Sequence, residues 1–222
     1  MTILDWILVA TLVLVLPAEA LWNSIARREK PKRPLGTRLA RSLRVIVVLL
    51  AFLFMIWGLE GRSIALLGLE WPVSTAGLIG LGVAIVILAL LAAAIRLRKP
   101  TAAEADAMAA SAITPETKSE TILFVLFAFA AGIGWELLYR GFLIWALAPW
   151  IGTIGAVVVA AVAYALGHGS QNAKSLIGST IASFLFTIGF AVTGSLWWLM
   201  LLHTGLPLIG LLAARTSRTS RT

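Results

Sequence analysis

Long apolar runs alternate with short polar connections along most of the chain. Most runs approach the about 17–25 residues that a helix needs to cross a bilayer at 1.5 Å of rise per residue. The pattern therefore predicts an all-α fold, a polytopic bundle of about seven transmembrane helices. The predicted spans are residues 6–24, 45–59, 77–95, 121–150, 153–168, 175–193 and 195–214.

Basic residues in the connections predict the orientation of the bundle. Lys and Arg favour the cytoplasmic side of a membrane. If the N-terminus is outside, sixteen of the 18 Lys and Arg residues are cytoplasmic, and only Arg62 lies outside while Arg140 lies within a span. The sixteen are Arg27, Arg28, Lys30, Lys32, Arg33, Arg38, Arg41, Arg44, Arg96, Arg98, Lys99, Lys118, Lys174, Arg215, Arg218 and Arg221. We expect a multi-pass protein of the cell membrane with a cytoplasmic C-terminus.

Composition shifts divide the chain into four regions. The first span carries Asp5 and has no basic residue before its apolar run, so we expect it to stay uncleaved. A Pro115-Glu116 step before an apolar run is typical of the entry to a helix. The regions are a three-span N-terminal part with a basic loop (1–99), a polar cytoplasmic linker (100–120), a helical core (121–214) and a basic tail predicted to be disordered (215–222).

The composition excludes several classes of protein. The chain has 222 residues, of which 60% are hydrophobic and 13% charged, and its mean hydropathy is +0.97. A soluble domain has about 25% charged residues. The chain has no cysteine, which excludes a disulfide scaffold and a thiol nucleophile. The net charge of +8 is spread over short loops, so it predicts contact with membrane lipid and no binding of nucleic acid.

Titratable residues inside the apolar runs are the main sign of function. A charged side chain at membrane depth costs about 2.5–3.5 kcal/mol on insertion scales. Glu136 and Arg140 lie four residues apart in one run and can pair on one helix face. The two histidines of the chain, His168 and His203, lie in two other runs, and Tyr164 precedes His168 by four residues. We expect these spans to direct their polar residues into one interior site, although a structural ion pair and hydrogen-bonded packing histidines are the alternatives.

These residue types allow three kinds of chemistry. Glu136, His168 and His203 could hold a divalent metal such as zinc as a His₂Glu set with one position open for water. Without metal, a carboxylate and an imidazole can deprotonate water while a second imidazole stabilises an oxyanion. A proton relay in a carrier would use the same residues, but the chain shows no internal repeat that favours a transporter.

Three short motifs resemble those of a known family. They are, in chain order, Trp135-Glu136-x-x-x-Arg140, Tyr164-x-x-x-His168 and His203-x-x-x-Pro207. Their order and spacing resemble the CPBP intramembrane proteases, which include the type II CAAX prenyl endopeptidases and the bacterial Abi proteins. The resemblance covers about residues 115–210, and residues 1–100 are similar only in being apolar spans.

The resemblance implies a metalloprotease-like site for peptide hydrolysis. In the family, the first-motif Glu and the second-motif His activate water, and the third-motif His and Asn/Asp steady the tetrahedral intermediate. It implies Glu136, His168 and His203 as catalytic residues here. Arg140 would hold Glu136, and Tyr164 would pack or hydrogen-bond near His168.

Two positions depart from the family pattern. Trp135 stands where the family has its first Glu, and Pro207 stands where it has Asn or Asp. Trp135 cannot accept a proton, and Pro207 has no side-chain donor for an oxyanion. We therefore predict an intramembrane endopeptidase of impaired activity that acts on a membrane-associated peptide or protein. The alternative is an inactive adaptor or a bacteriocin-immunity-type protein of the same fold.

Overall fold

The structure, a computed structural model, describes residues 1–26, 34–97, 114–168 and 173–219. All long elements in these ranges are helices, which confirms the predicted all-α fold class. The helices are α1 (Ile3–Ala10), α2 (Leu16–Ala26), α3 (Leu35–Leu59), α4 (Thr75–Leu97), α5 (Lys118–Trp135), α6 (Leu143–Gly167), α7 (Ala173–Thr193) and α8 (Trp197–Thr219). Two π-helical segments, Thr11–Val15 and Glu136–Phe142, join α1 to α2 and α5 to α6.

The helices have the dimensions of membrane spans. Six helical stretches within the described ranges are long and apolar enough to cross a bilayer. The longest stretch, Lys118–Gly167, breaks at Gly152, where φ is 73° and ψ is 163°. This conformation is accessible essentially only to glycine. The break separates the two spans predicted at 121–150 and 153–168, and the chain is a multi-pass membrane protein.

Two predicted boundaries were wrong. Helix α3 begins at Leu35, ten residues before the predicted span at 45–59, because Leu39 on its extra turns is buried while Arg41 faces outward. Such an amphipathic extension continues a helix beyond the hydrocarbon. Helix α8 continues to Thr219, so the tail predicted to be disordered is helical over most of its length.

The start of the helical core follows the prediction. The Thr117 hydroxyl accepts a hydrogen bond from the Glu120 backbone N–H at 3.1 Å, and the Glu120 carboxylate accepts one from the Thr117 N–H at 3.3 Å. This reciprocal cap starts α5. The first part of the basic loop (27–33), most of the polar linker (98–113), the segment 169–172 and the last tail residues (220–222) lie outside the described residues.

A buried ion pair fixes the first helix to the rest of the bundle. Asp5 has no exposed surface, and its two carboxylate oxygens accept hydrogen bonds from the Arg62 guanidinium at 2.7 and 2.8 Å. That guanidinium also lies 5.2 Å from the ring centre of Trp57 and 4.7 Å from that of Trp145. The contact therefore joins α1, α3, α6 and the loop that follows α3.

The main core lies beside the π-helical segment Glu136–Phe142. Fully buried side chains from α1, α6, α8 and both π segments pack there, among them Leu8, Leu12, Leu138, Phe142 and Leu199. By contrast, helix α4 buries only Gly77 and Ala84. Most of α4 therefore presents an apolar face to lipid. The titratable side chains that the sequence places inside apolar runs lie instead on the helices around the core.

Candidate active site

A π-helical segment supplies the first two polar side chains. All residues of Glu136–Phe142 are buried, and Glu136 and Arg140 have no exposed surface. The π conformation widens the helix by one residue per turn and often marks functional sites. An Arg140 nitrogen, Nη1, lies 3.5 Å from Glu136 Oε1, so the predicted i, i+4 pair is present.

The closest partner of Glu136 comes from another helix. Oε1 of Glu136 lies 2.7 Å from Nδ1 of His203 on α8, which is shorter than its distance to Arg140. An ionised carboxylate only accepts hydrogen bonds, so Nδ1 of His203 carries the donated proton. In a neutral imidazole, the lone pair is then on Nε2. Glu136 thus orients a potential base on α8.

Tyr164 completes a chain of contacts across three helical segments. Its hydroxyl lies 3.3 Å from Nε2 of His203. The Arg140 guanidinium carbon lies 4.2 Å from the centre of the Tyr164 ring. Tyr164 on α6 is buried. The side chains of Glu136, His203 and Tyr164 therefore form one connected polar cluster in the bundle, with Arg140 packed against it.

His168 lies next to this cluster and outside its hydrogen bonds. Its ring centre is 5.1 Å from that of Tyr164, as predicted, and the side chain is exposed at the end of α6. Of the three predicted catalytic residues, the structure brings Glu136 and His203 into contact and places His168 beyond the Tyr164 ring. The catalytic roles of all three stay predictions.

The polar side chains around Glu136 do not form a metal site in the described part of the chain. Among the described residues, no three His, Cys, Asp or Glu side chains lie together as a metal site would require. In addition, the Arg140 cation shares Oε1 of Glu136 with His203. This arrangement does not fit a His₂Glu zinc site, and a divalent metal stays a prediction from the resemblance.

The two departing positions flank the cluster without joining it. The Trp135 ring centre lies 6.0 Å from that of Tyr139, and its side chain is half-buried against the core. Pro207 lies within α8, one turn beyond His203. A proline has no backbone N–H, so the His203 carbonyl lacks the donor that a residue four positions later would provide. Pro207 has no side-chain donor to offer to the site, and the Trp135 ring packs against Tyr139.

Ser183 was not predicted as part of the site. It is almost fully buried on α7, and its hydroxyl donates to the Ala161 carbonyl at 2.8 Å and accepts from Arg140 Nη2 at 3.4 Å. This contact holds the guanidinium against Tyr164. The sequence signal for this residue was a serine within the predicted apolar run 175–193. Many serines in such runs form hydrogen bonds only within their own helix, so the signal does not single out a site residue.

A glycine allows α5 to approach α8 next to His203. A Cβ atom on Gly132 would lie 2.7 Å from the backbone nitrogen of Thr204 and 2.9 Å from its Cα. These atoms belong to the main chain, so a side-chain rotation cannot make room. Because Thr204 follows His203 directly, the glycine sets the distance between the helices that carry Glu136 and His203.

Gly132→Ala is therefore expected to push α5 away from α8. Overpacking of this kind costs about 1–3 kcal/mol of folding free energy. The measurement is thermal unfolding of the detergent-solubilised protein. Gly82→Ala is the matched control, because a Cβ atom there meets nothing within 4 Å. An equal unfolding temperature for the two variants would contradict the role of Gly132.

The cavities found in the described part lie away from the cluster. One has a volume of about 400 Å³ and lies between the first turn of α5 and the end of α8, where Thr117, Thr121, Leu211 and Arg215 are among its lining residues. The cluster itself is packed tightly, and within its hydrogen-bonded part His203 is the most exposed member, with 17% of its side chain accessible against 8% for Tyr164. A substrate would therefore reach the cluster from the side of His203.

Comparison with known proteins supports the resemblance found in the motifs. Residues 117–209 match the model of a family described as type II CAAX prenyl endopeptidase Rce1-like. Comparison with curated proteins and with solved structures gives no match. The matched range begins at the cap of α5 and includes Glu136, Tyr164, His168 and His203. The match thus supports the CPBP/CAAX protease family for the helical core, residues 117–209.

Proposed function

We propose that the protein is an intramembrane endopeptidase that hydrolyses a peptide bond of a membrane-associated substrate. The observation that carries this proposal is the 2.7 Å contact between Glu136 and Nδ1 of His203. A buried carboxylate behind an imidazole fixes the tautomer and stabilises the imidazolium that forms when the ring takes a proton. This arrangement supports general base catalysis by His203.

The reaction follows from the orientation of the imidazole. A water next to Nε2 of His203 gives its proton to that nitrogen while its oxygen bonds to the peptide carbonyl carbon. The tetrahedral intermediate collapses when the C–N bond breaks. The imidazolium then returns its proton to the leaving nitrogen, which departs as a neutral amine. Glu136 keeps its charge throughout and stabilises the imidazolium.

Arg140 and His168 have supporting parts in this proposal. Arg140 partly neutralises Glu136 and limits the cost of burying the carboxylate. His168 is exposed at the end of α6, from where it can contact a bound peptide or its leaving group. We place this end of the site on the cytoplasmic side because of the distribution of Lys and Arg. The family description also favours a substrate anchored by a C-terminal prenyl group.

Turnover in proteoliposomes tests the proposal. The probe is a set of quenched fluorogenic peptides with a randomised cleavage sequence and a lipid anchor, prepared with and without a farnesylated cysteine. We expect the wild type to cleave, and His203→Ala to lower kcat by about 10²–10⁴ because the base is lost. His168→Ala is also expected to lose cleavage. The control is Glu60→Gln, since the Glu60 side chain is 41% exposed and outside the cluster.

An inactive adaptor or immunity-type protein is the second candidate. Trp135 and Pro207 favour it, because Trp135 cannot act as a base and Pro207 provides no oxyanion donor. Wild-type turnover no greater than that of His203→Ala would contradict the endopeptidase proposal and favour the adaptor. A farnesylated set cleaved no faster than the unmodified set would exclude recognition of the prenyl group.

A further inference from the structure

We propose that the hydroxyl of Tyr164 is the oxyanion donor of this site. The inference rests on the proposed peptide hydrolysis and adds a catalytic residue to it. The hydroxyl lies 3.3 Å from Nε2 of His203, the nitrogen that takes the proton of the attacking water. The water attacks the peptide carbonyl carbon, and the carbonyl oxygen on that carbon becomes the oxyanion. A donor this close to the base can hydrogen-bond to that oxygen.

The hydrogen bonds of His203 determine the direction of the Tyr164 proton. Nδ1 donates to Glu136 at 2.7 Å, so Nε2 of the neutral ring is an acceptor and the Tyr164 hydroxyl is the donor. When a water forms a hydrogen bond to Nε2, the Tyr164 hydroxyl no longer donates to that nitrogen. The O–H bond then turns about the C–O axis and donates to the peptide carbonyl oxygen. The proton stays on the phenol throughout, and the hydrogen bond strengthens as the oxyanion forms.

Packing holds the phenol ring of Tyr164 in place. The Tyr139 ring meets it edge-on at 5.2 Å between centres, the Arg140 guanidinium covers a face at 4.2 Å, and the His168 ring lies at 5.1 Å. Because these contacts hold the ring, they preorganise the hydroxyl beside His203. A cation on a ring face also withdraws electron density from the ring, which makes the phenol a stronger donor.

The oxyanion of the proposed tetrahedral intermediate needs a hydrogen-bond donor. Pro207 lies one turn beyond His203 on the same helix and carries no polar atom in its side chain. Ser183 is engaged with Ala161 and Arg140. Arg140 is fully buried between Glu136, Ser183 and the Tyr164 ring face. Among these side chains, the Tyr164 hydroxyl is the donor that contacts Nε2 of His203.

Tyr164→Phe tests the proposal, because it removes one oxygen and keeps every ring contact. In the proteoliposome assay with the fluorogenic peptides, kcat is expected to fall by about 10²–10³ with KM nearly unchanged, as for loss of one oxyanion donor. The matched control is Tyr139→Phe. Its hydroxyl is buried too, but it donates to the Leu12 carbonyl at 3.2 Å, away from the reaction.

The outcomes separate this inference from the proposed function. A fall in kcat confined to Tyr164→Phe supports the oxyanion donor. If both tyrosine variants lose kcat equally, or if Tyr164→Phe raises KM and keeps kcat, the hydroxyl is structural or binds substrate and the inference is overturned. Full activity of Tyr164→Phe overturns it while the endopeptidase proposal stands. If the wild type does not exceed His203→Ala, the proposed function fails and this inference fails with it.

Discussion

Glu136→Gln is expected to lower kcat by about 10⁴, because an amide in place of the carboxylate behind a catalytic imidazole has an effect of this size in carboxylate–imidazole–hydroxyl triads. The substitution keeps the volume of the side chain. It removes the charge that fixes the proton on Nδ1 of His203 at 2.7 Å and that would stabilise the imidazolium. It also leaves the buried Arg140 without its counter-ion. The measurement is kcat for cleavage of one of the fluorogenic peptides in proteoliposomes.

The fold of this variant has to be checked separately, because an unpaired Arg140 also costs stability. Thermal unfolding in detergent gives that measure. Glu60→Gln makes the same chemical change at an exposed position and is expected to keep full turnover. A folded Glu136→Gln protein that retains more than a tenth of wild-type kcat would exclude Glu136 as the group that orients the base.

Arg62→Met is expected to lower the free energy of unfolding by about 3–5 kcal/mol, the usual cost of removing one partner of a buried pair. Asp5 has no exposed surface, so the substitution leaves an unpaired carboxylate between α1 and the loop after α3. The hydrogen bonds that Arg62 donates to Asp5 raise the pKa of Arg62 above its ordinary value, so the arginine is charged over the whole working range of pH. Equilibrium unfolding in mixed micelles measures the loss.

Two controls make this result specific to the buried pair. Arg41→Met removes an exposed partner of Glu19, and exposed pairs contribute about 0–1 kcal/mol. Adding Asp5→Asn to Arg62→Met removes the stranded charge and is expected to recover part of the loss. If Arg62→Met costs no more than Arg41→Met, the ion pair does not stabilise the attachment of α1.

The sequence determined that the long elements are helices and where most of them lie. Apolar runs of bilayer length can only be helical, since every backbone polar group must be paired within the segment. The sequence also predicted separate spans at 121–150 and 153–168, and the structure has its break between them, at Gly152. The cap at Thr117 and Glu120 has a local signature. These features depend on neighbours along the chain.

The partners of the site residues depended on the tertiary structure. Helical periodicity placed Glu136 and Arg140 on one face, and that pair is present at 3.5 Å. The closer contact of Glu136 with His203, 67 positions away, depends on the rotation and height of α8 against the π-helical segment. No local pattern encodes either quantity. The same limit applies to Tyr164. Its side chain was expected near His168, and its hydroxyl also lies 3.3 Å from Nε2 of His203.

The sequence by itself therefore determined which costly polar residues enter the membrane and on which helices they lie. The tertiary structure decided which of them meet. Gly132 shows the physical reason, because the close approach of α5 to α8 at Thr204 depends on backbone atoms from two distant segments that fit only without a side chain. Burial of Asp5 with Arg62 was decided in the same way, by packing that places a predicted helix end inside the protein.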